Sequence, residues 1–408
     1  VATRASGMKK NKYGNIEDIV LNVRLVTPTG TLTLKCREGG RVSTGPDMVQ
    51  MVIGSEGMLG VVTEVVVRVQ PLPAVCEYGS AIFPSFSDGV AAMREISSSI
   101  GPMAAASKPA SLRLVDNLQF QLGRVMKPES GSPFWDMAKE KAQRAFVTQV
   151  KGFKPEEMVA MTLLFEGTAA EVRAQQRAVF EVVRKHNGMS GGSENGMRGY
   201  LLTYLIAYIR DFGMQYGLLA ESFETSVPWS CVHSLCTRVK QRINYTCKRM
   251  KVPGEPFVSC RVTQTYDSGA AVYFYFAIPF GHVFEKAKEE GASIDEAVET
   301  AIQLFHTIET EAREEVLRSG GSLSHHHGVG KVRDRWMPRI VSPLGMRMLW
   351  GLKNAVDPLN VLCAGNLGIN AKADINLNET SSIEKVKGGE LEKGRKIIFE
   401  EKKPRARL

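Results

Sequence analysis

Hydrophobic and polar positions change period several times along the chain. From Asp18 to Val26 apolar and polar residues alternate, the period of a half-buried strand. Thr27-Pro28-Thr29-Gly30 reads as a turn, and Thr31 to Lys35 as the returning strand. Ser43 to Asp47 is another turn. A glycine-spaced loop, Gly54 to Gly60, opens directly onto the β-branched run Val61 to Val69, a third strand. Gln70-Pro71-Leu72-Pro73 ends it and marks a domain boundary.

Beyond that boundary the pattern is α+β. Strands are expected at Cys76–Phe83, Ala110–Val115, Val159–Phe165, Phe257–Thr265 and Ala271–Ile278. Helices are expected at Ser85–Ile100, 134–150, Thr168–His186, Trp229–Met250, Ser293–Leu317 and Gly345–Val356. A Gly/Ser-rich loop runs from Gly188 to Gly199. It leads into the apolar segment Tyr200 to Asp211, where Tyr200, Tyr204 and Tyr208 recur at helical spacing and share one face. In the Ala271–Ile278 strand, alternation sets Tyr273 and Tyr275 on one face and Phe274 and Phe276 on the other. From about Ala371 the chain turns polar and Lys/Glu-rich and reads as mostly disordered.

Composition narrows the function classes. With 43% hydrophobic and 23% charged residues over 408 positions, the chain has ordinary globular content for two or three domains. The uncharged apolar run Gly199 to Ile209 is too short to cross a bilayer. The seven cysteines are scattered, with no C-x-x-C pair, which argues for a reducing compartment. The net charge of +9 suits phosphate substrates or anionic surfaces. Outside the tail the basic residues are interspersed with acids, which argues against nucleic acid.

The most distinctive chemistry lies in Gly320-Gly321-Ser322-Leu323-Ser324-His325-His326-His327-Gly328-Val329-Gly330. Histidine titrates near neutral pH and is the default proton shuttle. In an extended segment His325 and His327 share one face and His326 serves another. A metal is not expected, because no Cys or carboxylate stands nearby at ligand spacing. Arg113, between Leu112 and Leu114, is either a surface ion pair or an anion hook in a cleft. Arg210 is either the exposed cap of a core helix or the end of an apolar wall suited to an amphiphile with an anionic head. Tyr273 and Tyr275 on one sheet face are either packing or, beside a cation, an acid or base. The small, basic stretch at residues 1–14, with Thr3 and Ser6, is either a phosphate loop or a surface turn. The last residues, Ala406-Arg407-Leu408, follow the small–basic–Leu pattern of a peroxisomal import signal.

Taken in order, several runs resemble the alkyldihydroxyacetonephosphate synthase (alkylglycerone-phosphate synthase) family of the vanillyl-alcohol-oxidase-like FAD flavoproteins. They are Thr3 to Asn11, Gly54 to Gly60, Ser111 to Leu114, Gly199 to Tyr204, Ala207 to Asp211, Glu221 to Ser226, Cys260 to Asp267, Tyr273 to Phe276 and Ser322 to Lys331. The resemblance covers residues 1 to about 362. It implies an α+β fold: the C-terminal part of a PCMH-type FAD-binding domain (1–72), then a cap domain with an antiparallel sheet flanked by helices (73–344). A C-terminal helix and return segment (345–370) and the tail (371–408) follow. The first half of the FAD domain is expected before Val1, which leaves FAD binding by this stretch open.

The activity implied is exchange of the acyl chain of 1-acyl-dihydroxyacetone phosphate for a long-chain fatty alcohol, through a non-redox flavin N5 adduct. The resemblance assigns proton transfer to Tyr273, activity to Arg113 and to His325, His326 and His327, and phosphate binding to Arg210. It assigns FAD contacts to Thr3, Arg4, Ala5, Ser6, Glu56, Gly57, Met58, Leu59, Gly60, Val61 and Val62. It further implies a homodimer, peripheral membrane contact, and peroxisomal or glycosomal import. Two other readings stay open: an FAD-linked 2-hydroxyacid (D-lactate-type) dehydrogenase, and a catalytically incomplete fragment.

Overall fold

The computed structural model describes residues 1–35, 42–100, 107–125 and 145–369, the side chains of residues 203 and 205–207 excepted. Most of the expected 134–150 helix, the 371–408 tail and the Ala406–Leu408 signal lie outside the described residues. Strands β1 (Val20–Thr27), β2 (Gly30–Thr33) and β3 (Val61–Val67) form a small antiparallel sheet in the order β2-β1-β3. Asp18 belongs not to β1 but to a one-turn helix, Ile16–Ile19, where it closes a capping box with Asn15.

Seven further strands form the larger sheet. They are β4 (Val75–Phe83), β5 (Ser111–Val115), β6 (Val159–Gly167), β7 (Met189–Ser190), β8 (Leu218–Pro228), β9 (Phe257–Thr265) and β10 (Gly269–Pro279). Their order is β7-β4-β6-β5-β9-β10-β8, and every neighbouring pair is antiparallel. Strand β8 was not expected from the sequence, and neither were the helices Asn117–Val125 and Gly281–Glu289. The expected Gly188–Gly199 loop is helical from Ser193, as the start of a helix reaching Gln215. The last helix begins at Met337 and kinks at Ser342-Pro343, where Ser342 takes a positive φ of 67°.

One face of the large sheet is greasy. Phe223, Phe274, Phe276, Leu112, Leu114 and Val262 bury against helices Val232–Arg249, Ile294–Arg318, Phe86–Ser97 and Ala169–Lys185. Each such large side chain contributes roughly 1.5–3 kcal/mol by leaving water. Ser293 and Thr168 start two of these helices through capping boxes with Glu296 and Glu171. The opposite face carries the chemistry. The Ser193–Gln215 helix lies close over β4 and β6 on that side: a Cβ at Gly196 would stand 2.2 Å from the Gly79 carbonyl, and one at Gly199 2.5 Å from Thr162. A second core joins β1, the Gly54–Gly60 loop and the C-terminal segment through Val23, Leu25, Met58, Trp336, Met346 and Leu367.

Candidate active site

Register builds the site. Tyr273 on β10 stands opposite Glu224 on β8 and Arg261 on β9. Directly paired residues share a face, so the three side chains form a row across the sheet. Val115 of β5 pairs with Arg261, which puts Arg113, two residues back, on that same face. Arg113 is therefore not a surface residue: it is 3% exposed, with its guanidinium 4.8 Å from the Tyr200 ring centroid. Burial and the neighbouring Arg261 lower its pKa to about 10, so it stays charged at neutral pH.

The histidine run reaches this row around the sheet edge, because β8 is the last strand. The chain leaves the Ile294–Arg318 helix through Gly320 and Gly321. A Cβ on Gly321 would meet Thr225 Oγ1 at 2.6 Å, so only glycine lets the loop close on β8. Ser322 N–H donates to the Ser226 carbonyl at 2.8 Å, and Ser226 N–H donates back to Ser322 Oγ at 2.9 Å. Beyond it, the loop folds around one carboxylate. Glu224 accepts from Ser324 Oγ at 2.7 Å and from the amides of His327 at 2.8 Å, His326 at 3.2 Å and His325. Burial alone would raise the Glu224 pKa. The Ser324 hydroxyl and the His327 and His325 amides outweigh it and hold the group at about 2.

That folded loop overturns the extended reading of the three histidines. His326 Nε2 lies 2.5 Å from the Tyr273 hydroxyl and His327 Nε2 lies 3.4 Å from it. His325 points elsewhere: its Nε2 lies 2.7 Å from the Tyr266 hydroxyl, and its Nδ1 lies 2.7 Å from His326 Nδ1. So His326 and His327 share a target, and His325 is the odd member. Burial lowers all three imidazole pKa values, that of His326 to about 4, against the opposing pull of Glu224. They are neutral near pH 7 and able both to give and to take a proton. Burial and then Tyr275 raise the Tyr273 pKa, while Arg261 and Arg113 pull it down. The Arg261 guanidinium lies 5.2 Å from the Tyr273 ring centroid and donates to the Tyr275 hydroxyl.

Glu224, Arg261 and Tyr266 are the residues that motif reading missed as functional. Each lies in a run carrying the family resemblance, and Arg261 repeats the signal of Arg113, an Arg between buried apolar neighbours Cys260 and Val262. Glu224, His325 and His326 also bring ligand-type atoms within 4.8 Å of one another, a grouping invisible to sequence spacing. The Glu224 oxygens are already engaged by four donors there. Arg210 is not gathered into the cluster. Its side chain is 51% exposed and its guanidinium pairs with Asp211 at 3.3 Å. On the same helix, the face formed by Tyr200, Tyr204 and Tyr208 is buried at Tyr200 and exposed at Tyr204 and Tyr208.

The two glycine-bearing loops meet beside this site. Glu56 N–H donates to the Ala2 carbonyl at 2.7 Å, and Gly54 N–H to the Val1 carbonyl at 3.3 Å. The Glu56 carboxylate accepts from the amides of Val329 at 2.6 Å and Gly330 at 2.7 Å, which ties the loop to the segment after the histidines. Met58 and Leu59 turn their side chains into the small core, and Gly60 is buried with them, so these positions offer main chain only. Thr3, Arg4, Ala5 and Val61 are exposed. Gly57 is half-buried, with a positive φ of 79°, and Val62 is half-buried too. Ser6 donates to Asn15 Oδ1 at 2.6 Å. A cleft of about 520 Å³ opens between this segment and the strand ends, lined by Arg4, Ser6, Glu17, Tyr266, Ser324 and His325. Buried Glu17 Oε2 and Ser55 Oγ have no hydrogen-bond partner among the described residues. Small exposed residues, open main chain and unused polar atoms fit one edge of a flavin cofactor.

Residues 72–367 match the family described as FAD linked oxidases, C-terminal domain. The chain belongs to that family. It is 43% identical to alkyldihydroxyacetonephosphate synthase of Caenorhabditis elegans, over 90% of this chain and 58% of that protein. It is 30% identical to the synthase of Dictyostelium discoideum, over 88% of this chain and 54% of that one. A solved structure of alkyldihydroxyacetonephosphate synthase superposes with a TM-score of 0.65 at 25% identity, covering 89% of this chain and 56% of the other. The chain thus spans somewhat over half the length of the curated relatives it matches. The family resemblance read from the motifs holds, and so does the α+β class with an FAD-oxidase cap.

Proposed function

We propose that this chain carries the substrate-side machinery of an alkylglycerone-phosphate synthase. The reaction joins a long-chain fatty alcohol to C1 of acyl-dihydroxyacetone phosphate and releases the fatty acid. One observation carries the reading: a tyrosine hydroxyl, Tyr273, contacted by two neutral histidines and flanked by buried Arg261 and Arg113. Resting Tyr273 is protonated and hands its proton to His326. The phenolate then lies in the field of two guanidiniums and takes the proton from the substrate carbon. His327, more exposed, is the candidate to deprotonate the incoming alcohol. The same arginines favour an anionic substrate near Tyr273, and Arg210 takes a second, outer anionic contact.

FAD, when bound along residues 3–6 and 56–62, supplies an electron sink for the substrate carbon with no net redox change. In this reading residues 1–72 belong to the FAD-binding domain, 73–344 to the cap and 345–370 to the return segment. The protein works as a homodimer in the peroxisome or a glycosome-like organelle, with Ala406-Arg407-Leu408 as import signal. Exposed Tyr204, Tyr208, Phe212 and Tyr216 on the cap support contact with a membrane that supplies the alcohol.

The test is the absorbance of the chain with FAD, before and after palmitoyl-dihydroxyacetone phosphate, for wild type and Tyr273→Phe. The expected result is a flavin spectrum that changes without lasting bleaching in wild type, and a change slowed about 10²-fold or more in the variant. Lasting bleaching by a 2-hydroxyacid would instead mark a dehydrogenase.

A further inference from the structure

Tyr273, His326, His325 and Tyr266 form one unbroken hydrogen-bonded chain. Its three links are 2.5 Å, 2.7 Å and 2.7 Å long. The middle link is unusual, because it joins two histidines through the same ring atom, Nδ1. Such a contact needs one protonated and one bare nitrogen, so the two imidazoles must be opposite tautomers. Tyr266 then closes the far end. Its ring is 5.6 Å from that of His325, Lys10 Nζ lies 3.5 Å from its centroid, and Asn15 Nδ2 donates to its hydroxyl at 3.4 Å. Both Tyr266 and His325 line the cleft beside the N-terminal segment, whereas Tyr273 lies on the sheet face with Arg261. The chain therefore links two separate surfaces.

We propose that Tyr266 is the outer end of a proton relay that runs from Tyr273 through His326 and His325 to this cleft. The inference rests on the acid–base role proposed for Tyr273. In the resting arrangement Tyr273 O–H donates to His326 Nε2, His326 Nδ1–H to His325 Nδ1, and His325 Nε2–H to the Tyr266 oxygen. During transfer each proton moves one link outward, and the Tyr266 hydroxyl proton passes to water in the cleft. Every group loses one proton as it gains one, apart from Tyr273, which is left as the phenolate. Both histidines end in the opposite tautomer, and the reverse movement resets them. Tyr266 and His325 touch no substrate in this scheme; they position and carry the proton.

Nitrogen-15 NMR of histidine-labelled full chain tests it. The expected pattern in wild type is His326 protonated at Nδ1 and His325 at Nε2. Tyr266→Phe removes the acceptor of His325 Nε2–H, and both tautomers should invert, although His326 does not touch residue 266. The same tautomer at both histidines of wild type, or an unchanged His326 in the variant, overturns the relay. Should the variant not fold, the wild-type pattern decides. In turnover, Tyr266→Phe should lower kcat about 10²-fold at unchanged KM and recover with added imidazole. Wild-type kcat in the variant, or a loss that imidazole leaves untouched, contradicts the proposal. If wild type itself makes no alkyl product, the proposed reaction fails and the tautomers alone judge the relay.

Discussion

At the residue scale, Glu224 organises the site without being a candidate reactant. It is 1% exposed, yet it remains ionised because four donors converge on it. Three of those donors are the amides of the histidine run itself, so the carboxylate fixes where the imidazoles point. Its pKa of about 2 lies below the unfolded value of about 4.3. A depressed carboxylate contributes stability that is full above the unfolded value and lost as pH falls through the folded one. Glu224 should therefore contribute up to about 3 kcal/mol at neutral pH, disappearing between about pH 4 and about pH 2. Urea unfolding across that range measures it. Glu224→Gln should be less stable at neutral pH and show a flatter acid limb; an unchanged acid limb would remove Glu224 from this role. The residue escaped sequence reading because its partners lie 100 to 103 positions away. Alternation separates Tyr273 and Tyr275 from Phe274 and Phe276, and the structure keeps that division, but only the family resemblance singles out Tyr273 of the two.

At the element scale, the strands with a regular apolar face were legible and β8 was not. Leu218–Pro228 reads Leu-Leu-Ala-Glu-Ser-Phe-Glu-Thr-Ser-Val-Pro, where Glu221 and Thr225 fall on the same face as Leu219, Phe223 and Val227 and Leu218 and Ala220 on the other, which breaks the alternation of a half-buried strand. The Ser193 start of its helix was hidden for a related reason: Gly196 and Gly199 look like loop residues but are there for close packing on β4 and β6. The Gly54–Gly60 loop shows the same logic where it was recognised. A Cβ on Gly60 would stand 2.6 Å from the Val26 carbonyl and 2.8 Å from Leu25 Cγ. Gly60→Ala should cost about 1–3 kcal/mol of stability, read from chemical denaturation. A variant as stable as wild type would show that β1 can give way at this contact.

At the scale of the whole molecule, two cores are joined at the histidine loop. Leu323 packs in the small core, while the residues on either side of it, Ser322 and Ser324, bond the large sheet. Glu56 adds a second tie from the small-core side through Val329 and Gly330. In the proposed reading, the histidines sit where a cofactor held by the N-terminal loops would meet a substrate held on the large sheet. None of this long-range closure is written in local period, which is why the motifs were legible singly and their junction was not. The measurement that bears most directly on the account is product formation from carbon-labelled hexadecanol and palmitoyl-dihydroxyacetone phosphate, with FAD added. The account predicts one labelled alkyl product for each palmitate released, with the flavin oxidised at the end. Palmitate released without labelled ether, or a flavin left reduced, would contradict it.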